Sequence, residues 1–358
     1  MSREIEDLLS KQASKINIAI EKYIPREFEK NSTVFVLNSP VYACDLEALN
    51  KAIADPIWEF LDRGGKRWRP VLFLLVCEAL GKNPEDFLDF ALIPEVIHNG
   101  TLMVDDIEDG SKLRRGKPCT YIMFGQDIAI NAGNAMYFLP LLSIIKKGNK
   151  IAQTQIRRLY EIFIQEMISL SLGQAMDIAW HRGIAGAGKI TEEHYLQMCA
   201  YKTGTLARMA ARMAAVVAGA NMDLIEKLGR FAEAIGIAFQ MQDDILDLCG
   251  SEFAGKKGAR GMDITEGKRS LMVIHTLEKS KPKDRKRLIE ILNAHTNNQK
   301  LRDEAITIMK KYDSIEYTRK FARRLLRESW SEVNKLLPNS KAKEKLSTFT
   351  TYLIERRI

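Results

Sequence analysis

Leu102-Met-Val-Asp-Asp-Ile-Glu-Asp-Gly-Ser-Lys-Leu-Arg-Arg-Gly116 is the stretch from which the rest of the chain is read. On a helix, Asp105 and Asp109 share a face four residues apart, with Asp106 beside them and the apolar turn Leu102, Met103, Val104 just before. Three carboxylates held together repel, and a buried-looking turn behind them argues against a device for solubility. A divalent cation removes that cost. Oxygen ligands without His or Cys favour a hard ion, and Mg²⁺ usually completes its shell with water and substrate phosphate. The plain alternative is an acidic helix end. Phe239-Gln-Met-Gln-Asp-Asp-Ile-Leu-Asp-Leu248 repeats the arrangement with Asp243, Asp244 and Asp247 behind another apolar turn, and chance duplication of so costly a pattern is improbable.

Working outward, apolar residues recur at helical spacing through Arg3–Tyr23, Cys44–Leu61, Val71–Leu80, Phe87–Leu102, Ile128–Ile145, Ile151–Leu172 and Leu206–Ala220, and amphipathic helices continue to the C-terminus around a polar interruption at Pro338–Lys345. No strand alternation is found, so the spacing predicts an all-α fold. With 10 prolines and no Ser/Gly-rich linker in 358 residues, it reads as a single domain, 1–358. Residues 1–61 supply packing helices, 62–270 the motifs and 271–358 C-terminal helices.

Other motifs fall between the helices. Arg63-Gly-Gly-Lys-Arg-Trp-Arg-Pro70 gathers Lys66, Arg67 and Arg69 ahead of Pro70, a suitable N1 residue, and a helix start with three cations reads as an anion site or as a basic loop. His98 lies two turns before Asp105, where a lone His is more often a core residue than a ligand. Arg114 and Arg115 either neutralise the aspartates or bind phosphate bidentately. Gln174 and Asp177 follow Gly173 on one side of a helix, and Lys202 and Thr203 fall at a helix break or a mere glycine kink. A Gly/Lys loop over Gly250–Gly261, with Lys256, Lys257 and Arg260, and then Lys268, is a candidate lid.

Net charge is +8, but much of the basic surplus lies on polar helix faces without interleaved aromatics, which argues against nucleic acid and leaves phosphate substrates as its use. Five scattered cysteines without CxxC spacing argue against a disulfide framework and a zinc site, and predict a reducing compartment. The charged start of the chain and the absence of an obvious run of about 20 apolar residues predict a cytoplasmic protein without stable membrane insertion.

Taken in order, Gly64–Pro70, His98, Asp105–Asp109, Arg114–Gly116, Gly173-Gln174 with Asp177, Lys202-Thr203-Gly204, Phe239-Gln240 with Asp243–Asp247, and Gly267-Lys268 resemble the trans-prenyl diphosphate synthases, the geranylgeranyl diphosphate synthases most closely. The resemblance covers about Asp62 to Ser270. It implies an isoprenoid-synthase helical bundle around a deep cavity, a homodimer or higher homo-oligomer, and condensation of isopentenyl diphosphate with an allylic diphosphate. By analogy Asp105, Asp109 and Asp243 bind three Mg²⁺ ions, supported by Asp106, Asp244 and Asp247. Arg114, Lys202, Thr203, Gln240, Lys257 and Lys268 would contact the allylic diphosphate, and Lys66, Arg69, His98 and Arg115 the isopentenyl diphosphate. The implied catalytic set is Asp105, Asp106, Asp109, Lys202, Asp243 and Asp244. The lid segment is one residue longer here than in the geranylgeranyl group, which loosens the carry-over to Lys257.

Neither Gly100 nor Thr101 is aromatic, so nothing bulky there stops chain growth at the farnesyl stage. Tyr137 and Phe138 resemble the tunnel floor of eukaryotic-type geranylgeranyl synthases, with plain core aromatics as the alternative, while Ser171 stands where that group carries a larger side chain. The expectation is a C20 product, with C25 or longer next. A class I terpene cyclase is disfavoured because its second metal motif mixes Asn, Ser and Glu, and a non-catalytic subunit because no aspartate is lost.

Overall fold

A computed structural model gives the fold and describes residues 2–184, 190–249 and 260–355. It is 78% helical, as the periodicities predict. Two very short strands, Leu113–Arg114 and Lys117–Pro118, depart from the all-helix expectation. They pair antiparallel across Arg115 and Gly116, both with positive φ (54° and 78°), the geometry of a tight two-residue hairpin. Strands of two residues are too short to leave an alternating pattern in the sequence.

The chain divides into two compact units: Met1–Gln165 with Leu206–Gly229 and Asn334–Phe349, and Glu166–Thr205 with Arg230–Val333 and Thr350–Ile358.

In the first unit the helices Leu88–Glu108 and Gln126–Phe138 form the central pair. They cross at two glycines. A Cβ on Gly100 would stand 2.7 Å from the Gly133 carbonyl oxygen, and one on Gly133 2.9 Å from Val104 Cγ2, so backbone meets backbone there. The predicted Phe87–Leu102 helix runs on through the acidic motif and stops where Gly110 takes φ 63°. The Gly110 N–H then bonds the Ile107 carbonyl and Ser111 N–H the Asp106 carbonyl, closing the helix with a glycine-terminated cap. The single helix expected over Ile128–Ile145 is instead broken by a 3-10 turn at Leu139–Leu141, because Pro140 has no N–H for an α-helical ladder.

The expectation of no membrane-length apolar stretch needs correction. Pro84–Glu108 and Gln126–Lys150 are, by length and composition alone, long and apolar enough to cross a bilayer. Their helices pack on each other at the Gly100–Gly133 crossing, which gives part of that apolar surface a destination inside the fold.

In the second unit, Ile245 and Leu248 on the helix that carries the second acidic motif join Ile264, Leu288, Leu292 and Met309 in one apolar cluster. This seats the motif helix Met222–Cys249 in a core shared with Leu271–Lys279 and the antiparallel pair Pro282–Asn293 and Gln299–Lys311. The break predicted near Lys202 is a π-turn, Ala200–Gly204, between Glu192–Cys199 and Thr205–Val217.

Candidate active site

The first acidic motif sits at the C-terminal end of a 21-residue helix, where the backbone already presents its negative dipole end. Asp106 is fully buried, while Asp105 and Asp109 stay partly exposed. The Arg114 Nε donates to Asp106 Oδ1 at 2.7 Å, and its guanidinium lies 3.8 Å from Asp105 Oδ2. In the folded chain Arg114 is thus paired with both aspartates. Burial raises the Asp106 pKa while Arg114 pulls it back down. Its second oxygen, Oδ2, is buried without a hydrogen-bond partner.

The basic stretch divides its cations. Helix Trp68–Ala79 begins two residues earlier than the sequence indicates, so Pro70 is third in the first turn, where its missing N–H costs nothing. Arg67 takes φ 48° and turns inward: 2% exposed, it donates to Glu95 Oε1 at 3.0 Å and to the Leu61 carbonyl at 2.8 Å. It is a core ion pair, and the reading of three gathered cations is corrected to two. Lys66 stays exposed, and Arg69 is buried with its guanidinium 4.6 Å from the centre of the Trp68 ring.

Arg115 donates to the Gly64 carbonyl and, at 3.1 Å, to Asn99 Oδ1, with its guanidinium 5.2 Å from the Phe60 ring centre. A Cβ on Gly65 would stand 3.2 Å from that guanidinium, so this glycine is bare to admit Arg115. Burial, then the charge of Arg67, lowers the Arg115 pKa to about 10. His98 joins the group. Loss of hydration, followed by the charges of Arg69, Arg115, Arg114 and Arg67, drives its pKa well below the usual range and keeps the imidazole neutral.

The second unit holds the other motif in a parallel manner. Asp243 is partly exposed, and Asp244 and Asp247 are buried. Gln240 Nε2 donates to Asp244 Oδ1 at 2.8 Å, and the Tyr195 hydroxyl donates to Oδ2 at 3.0 Å. Burial, reinforced by the nearby Asp263 charge, raises the Asp244 pKa. Asp247 Oδ2 accepts the Asp263 N–H at 3.1 Å.

The π-turn presents two predicted residues to this motif's surroundings. Lys202 Nζ lies 2.5 Å from Asp177 Oδ2, and Thr203 Oγ1 donates to Gln240 Oε1 at 2.9 Å. Glycines make the turn possible: a Cβ on Gly173 would lie 2.4 Å from Lys202 N, and one on Gly236 2.6 Å from Gly204 Cα. Lys268 is paired with Glu266 at 2.5 Å and lies 3.8 Å from Asp263. Lys257, with Lys256 and most of the predicted lid, lies outside the described residues.

The chain-length residues differ in burial. The edge of the Tyr137 ring stands 3.2 Å from where a Gly100 Cβ would be, and its hydroxyl pKa is raised by burial and by Glu108 and Asp105. Phe138, by contrast, is 62% exposed. The two rings nevertheless meet edge to face, with centroids 6.5 Å apart. Thr101 Oγ1 donates to its own helix at the His98 carbonyl, and Ser171, exposed, does the same to the Met167 carbonyl.

Sequence reading missed Glu95, Asn99, Tyr195 and Asp263. Glu95 and Asn99 had a signal: two polar residues four apart inside an otherwise apolar helix. Tyr195 had none, since its partner Asp244 is 49 positions away.

Among the described residues, no three His, Cys, Asp or Glu side chains form a ready-made metal cage. The donor set still fits a hard divalent ion that shares its shell with substrate: it is all oxygen, and the first motif lies at a helix C-terminus.

Residues 50–309 match the polyprenyl synthetase family. A short chain isoprenyl diphosphate synthase of Methanothermobacter thermautotrophicus is 34% identical over 82% of this chain and 87% of its own length. A geranylgeranyl pyrophosphate synthase of Neocamarosporium betae is 32% identical over 82% of this chain and 87% of its own. The crystal structure of a geranylgeranyl pyrophosphate synthetase from Pyrococcus horikoshii Ot3 superposes with a TM-score of 0.85 at 28% identity, covering 99% of both chains. Matched over most of its length in sequence and throughout in fold, the chain belongs to the polyprenyl synthetase family and is a trans-prenyl diphosphate synthase, a prenyltransferase acting on small-molecule diphosphates.

Proposed function

We propose that the enzyme condenses isopentenyl diphosphate with an allylic diphosphate in a Mg²⁺-dependent reaction whose main product is geranylgeranyl diphosphate, C20. The observation that carries the metal reading is the same division of labour in both motifs: Asp106 and Asp244 are buried and held by the chain's own donors, while Asp105, Asp109 and Asp243 keep exposure. Those three would hold the ions, with Asp106, Asp244 and Asp247 in support. When bound, Mg²⁺ supplies positive charge to the departing diphosphate oxygens.

Arg114, Lys202, Thr203, Gln240, Lys257 and Lys268 bind and orient the allylic diphosphate and stabilise charge that grows on it as the carbon–oxygen bond breaks and the diphosphate keeps the electron pair. Lys66, Arg69 and Arg115, with neutral His98, hold isopentenyl diphosphate, whose double bond then attacks the allylic cation. The proton lost from the new chain goes to the released diphosphate. A neutral imidazole among arginines suits this role, since it adds no charge to repel the cation.

Two geranylgeranyl synthases among the relatives support C20, and Tyr137 packed beside Gly100 supports a limit on chain length. Outward-facing Ile164, Ile168 and Leu172, successively four apart on one helix face, support a homodimer. We read the two units as one domain because neither is contiguous in sequence. Free cysteines support a reducing, cytoplasmic setting.

Incubating the purified chain with isopentenyl and allylic diphosphates, with Mg²⁺ and with chelator, tests the reading. Elongation to C20 that chelation stops is expected. Cyclised hydrocarbon, or elongation indifferent to chelation, refutes it.

A further inference from the structure

Tyr195 lies outside every motif named so far, yet it is 1% exposed and reaches across from Glu192–Cys199 to the second acidic motif. Its hydroxyl and the Gln240 amide each donate to one oxygen of Asp244, at 3.0 and 2.8 Å, and Gln240 is in turn held by Thr203 at 2.9 Å. Both oxygens of a buried carboxylate are thus satisfied by uncharged donors. One is on the motif's own helix and one is not. Tyr195 is the donor that reaches Asp244 directly from another helix, whereas Gln240 lies on the motif's own helix and is tied elsewhere only through Thr203.

Successive helical residues are about 100° apart, so fixing Asp244 fixes the direction in which Asp243 projects. We propose that Tyr195 is a positioning residue: its hydroxyl, acting through Asp244, sets the rotation of the helical turn that presents Asp243. In the first motif the corresponding buried aspartate, Asp106, is held by the cationic Arg114 instead. The neutral tyrosine holds Asp244 without itself bringing a positive charge beside Asp243. The inference rests on the metal role proposed for Asp243.

The test uses full-length protein and follows thermal melting against Mg²⁺ concentration at fixed inorganic pyrophosphate. Tyr195→Phe keeps the ring and removes the donor. It should raise the Mg²⁺ concentration giving half of the pyrophosphate-dependent stabilisation about tenfold. In steady-state kinetics KM for the allylic diphosphate should rise, with KM for isopentenyl diphosphate within about twofold of wild type. Tyr317→Phe is the control, since the Tyr317 hydroxyl donates to Glu192 on the same helix as Tyr195. It should lower the melting temperature without moving the Mg²⁺ midpoint. An unmoved midpoint in Tyr195→Phe, or an equal shift in Tyr317→Phe, overturns the proposal. Asp243→Ala separates the two levels: if it abolishes the pyrophosphate response the metal reading stands and an unmoved Tyr195→Phe counts against Tyr195 alone. A retained response in Asp243→Ala removes the metal reading, and this inference with it.

Discussion

Gly173→Ala adds a single methyl group in the middle of the Gln153–His181 helix, a change that on an unobstructed helix stabilises by about 1 kcal/mol. Here the new Cβ would meet Lys202 N at 2.4 Å and the Tyr201 carbonyl carbon at 2.7 Å. Both are backbone atoms of the π-turn and cannot swing aside as a flexible side chain does. Overpacking of this kind costs about 3 kcal/mol, which leaves a net loss of about 2 kcal/mol after the helix-propensity gain. Unfolding entropy of about 2.1 cal/mol/K per residue over 358 residues converts this into a fall of about 3 °C in melting temperature, if the chain unfolds in one transition. The shift carries Lys202 and Thr203 with it, so kcat/KM should fall about tenfold or more. Calorimetry and a prenyl-transfer assay on the same preparation measure both. A melting temperature unchanged or raised, with activity retained, would refute the claim that Gly173 exists to admit the π-turn.

Arg67→Met should destabilise by about 3–5 kcal/mol in urea unfolding, because it strands Glu95 at 2% exposure; adding Glu95→Gln should recover part of the loss. His98 is neutral when folded, with a pKa below its unfolded value near 6.5, so the unfolded state binds the extra proton and stability falls as pH drops below about 6.5. His98→Gln should remove about one proton's worth of that slope in melting curves between about pH 6.5 and 5, and an unchanged slope would refute the assignment. Tyr137→Ala should lengthen the product beyond C20 in chromatography of the dephosphorylated prenols, whereas Phe138→Ala, altering an exposed ring, should change it less.

The helices and both acidic motifs were legible because each depends on residues within a turn or two of one another. Asp105, Asp106 and Asp109 declare themselves by spacing alone. What stayed hidden depends on partners distant in sequence. Arg67 looks like its neighbours Lys66 and Arg69, and only Glu95, 28 residues on, makes it a core residue. Gly100 read as an absence of bulk, and only the fold shows that the Gly133 backbone lies nearest to its missing side chain. Phe138 does meet Tyr137 edge to face, but its 62% exposure depends on what covers that side of the helix, which adjacency in sequence does not tell. The Pro140 break was readable in principle, since a proline inside a helical run is the ordinary signal for one.

In the folded chain the cations assigned to the allylic diphosphate already have company: Arg114 sits on Asp106, Lys202 on Asp177 and Lys268 on Glu266. If those cations take the roles proposed for them, loading would be a trade of counterions rather than the capture of bare charge. Each would loosen its grip on an internal acid before serving an incoming one, and a headgroup with more negative oxygens is expected to compete better than a monophosphate.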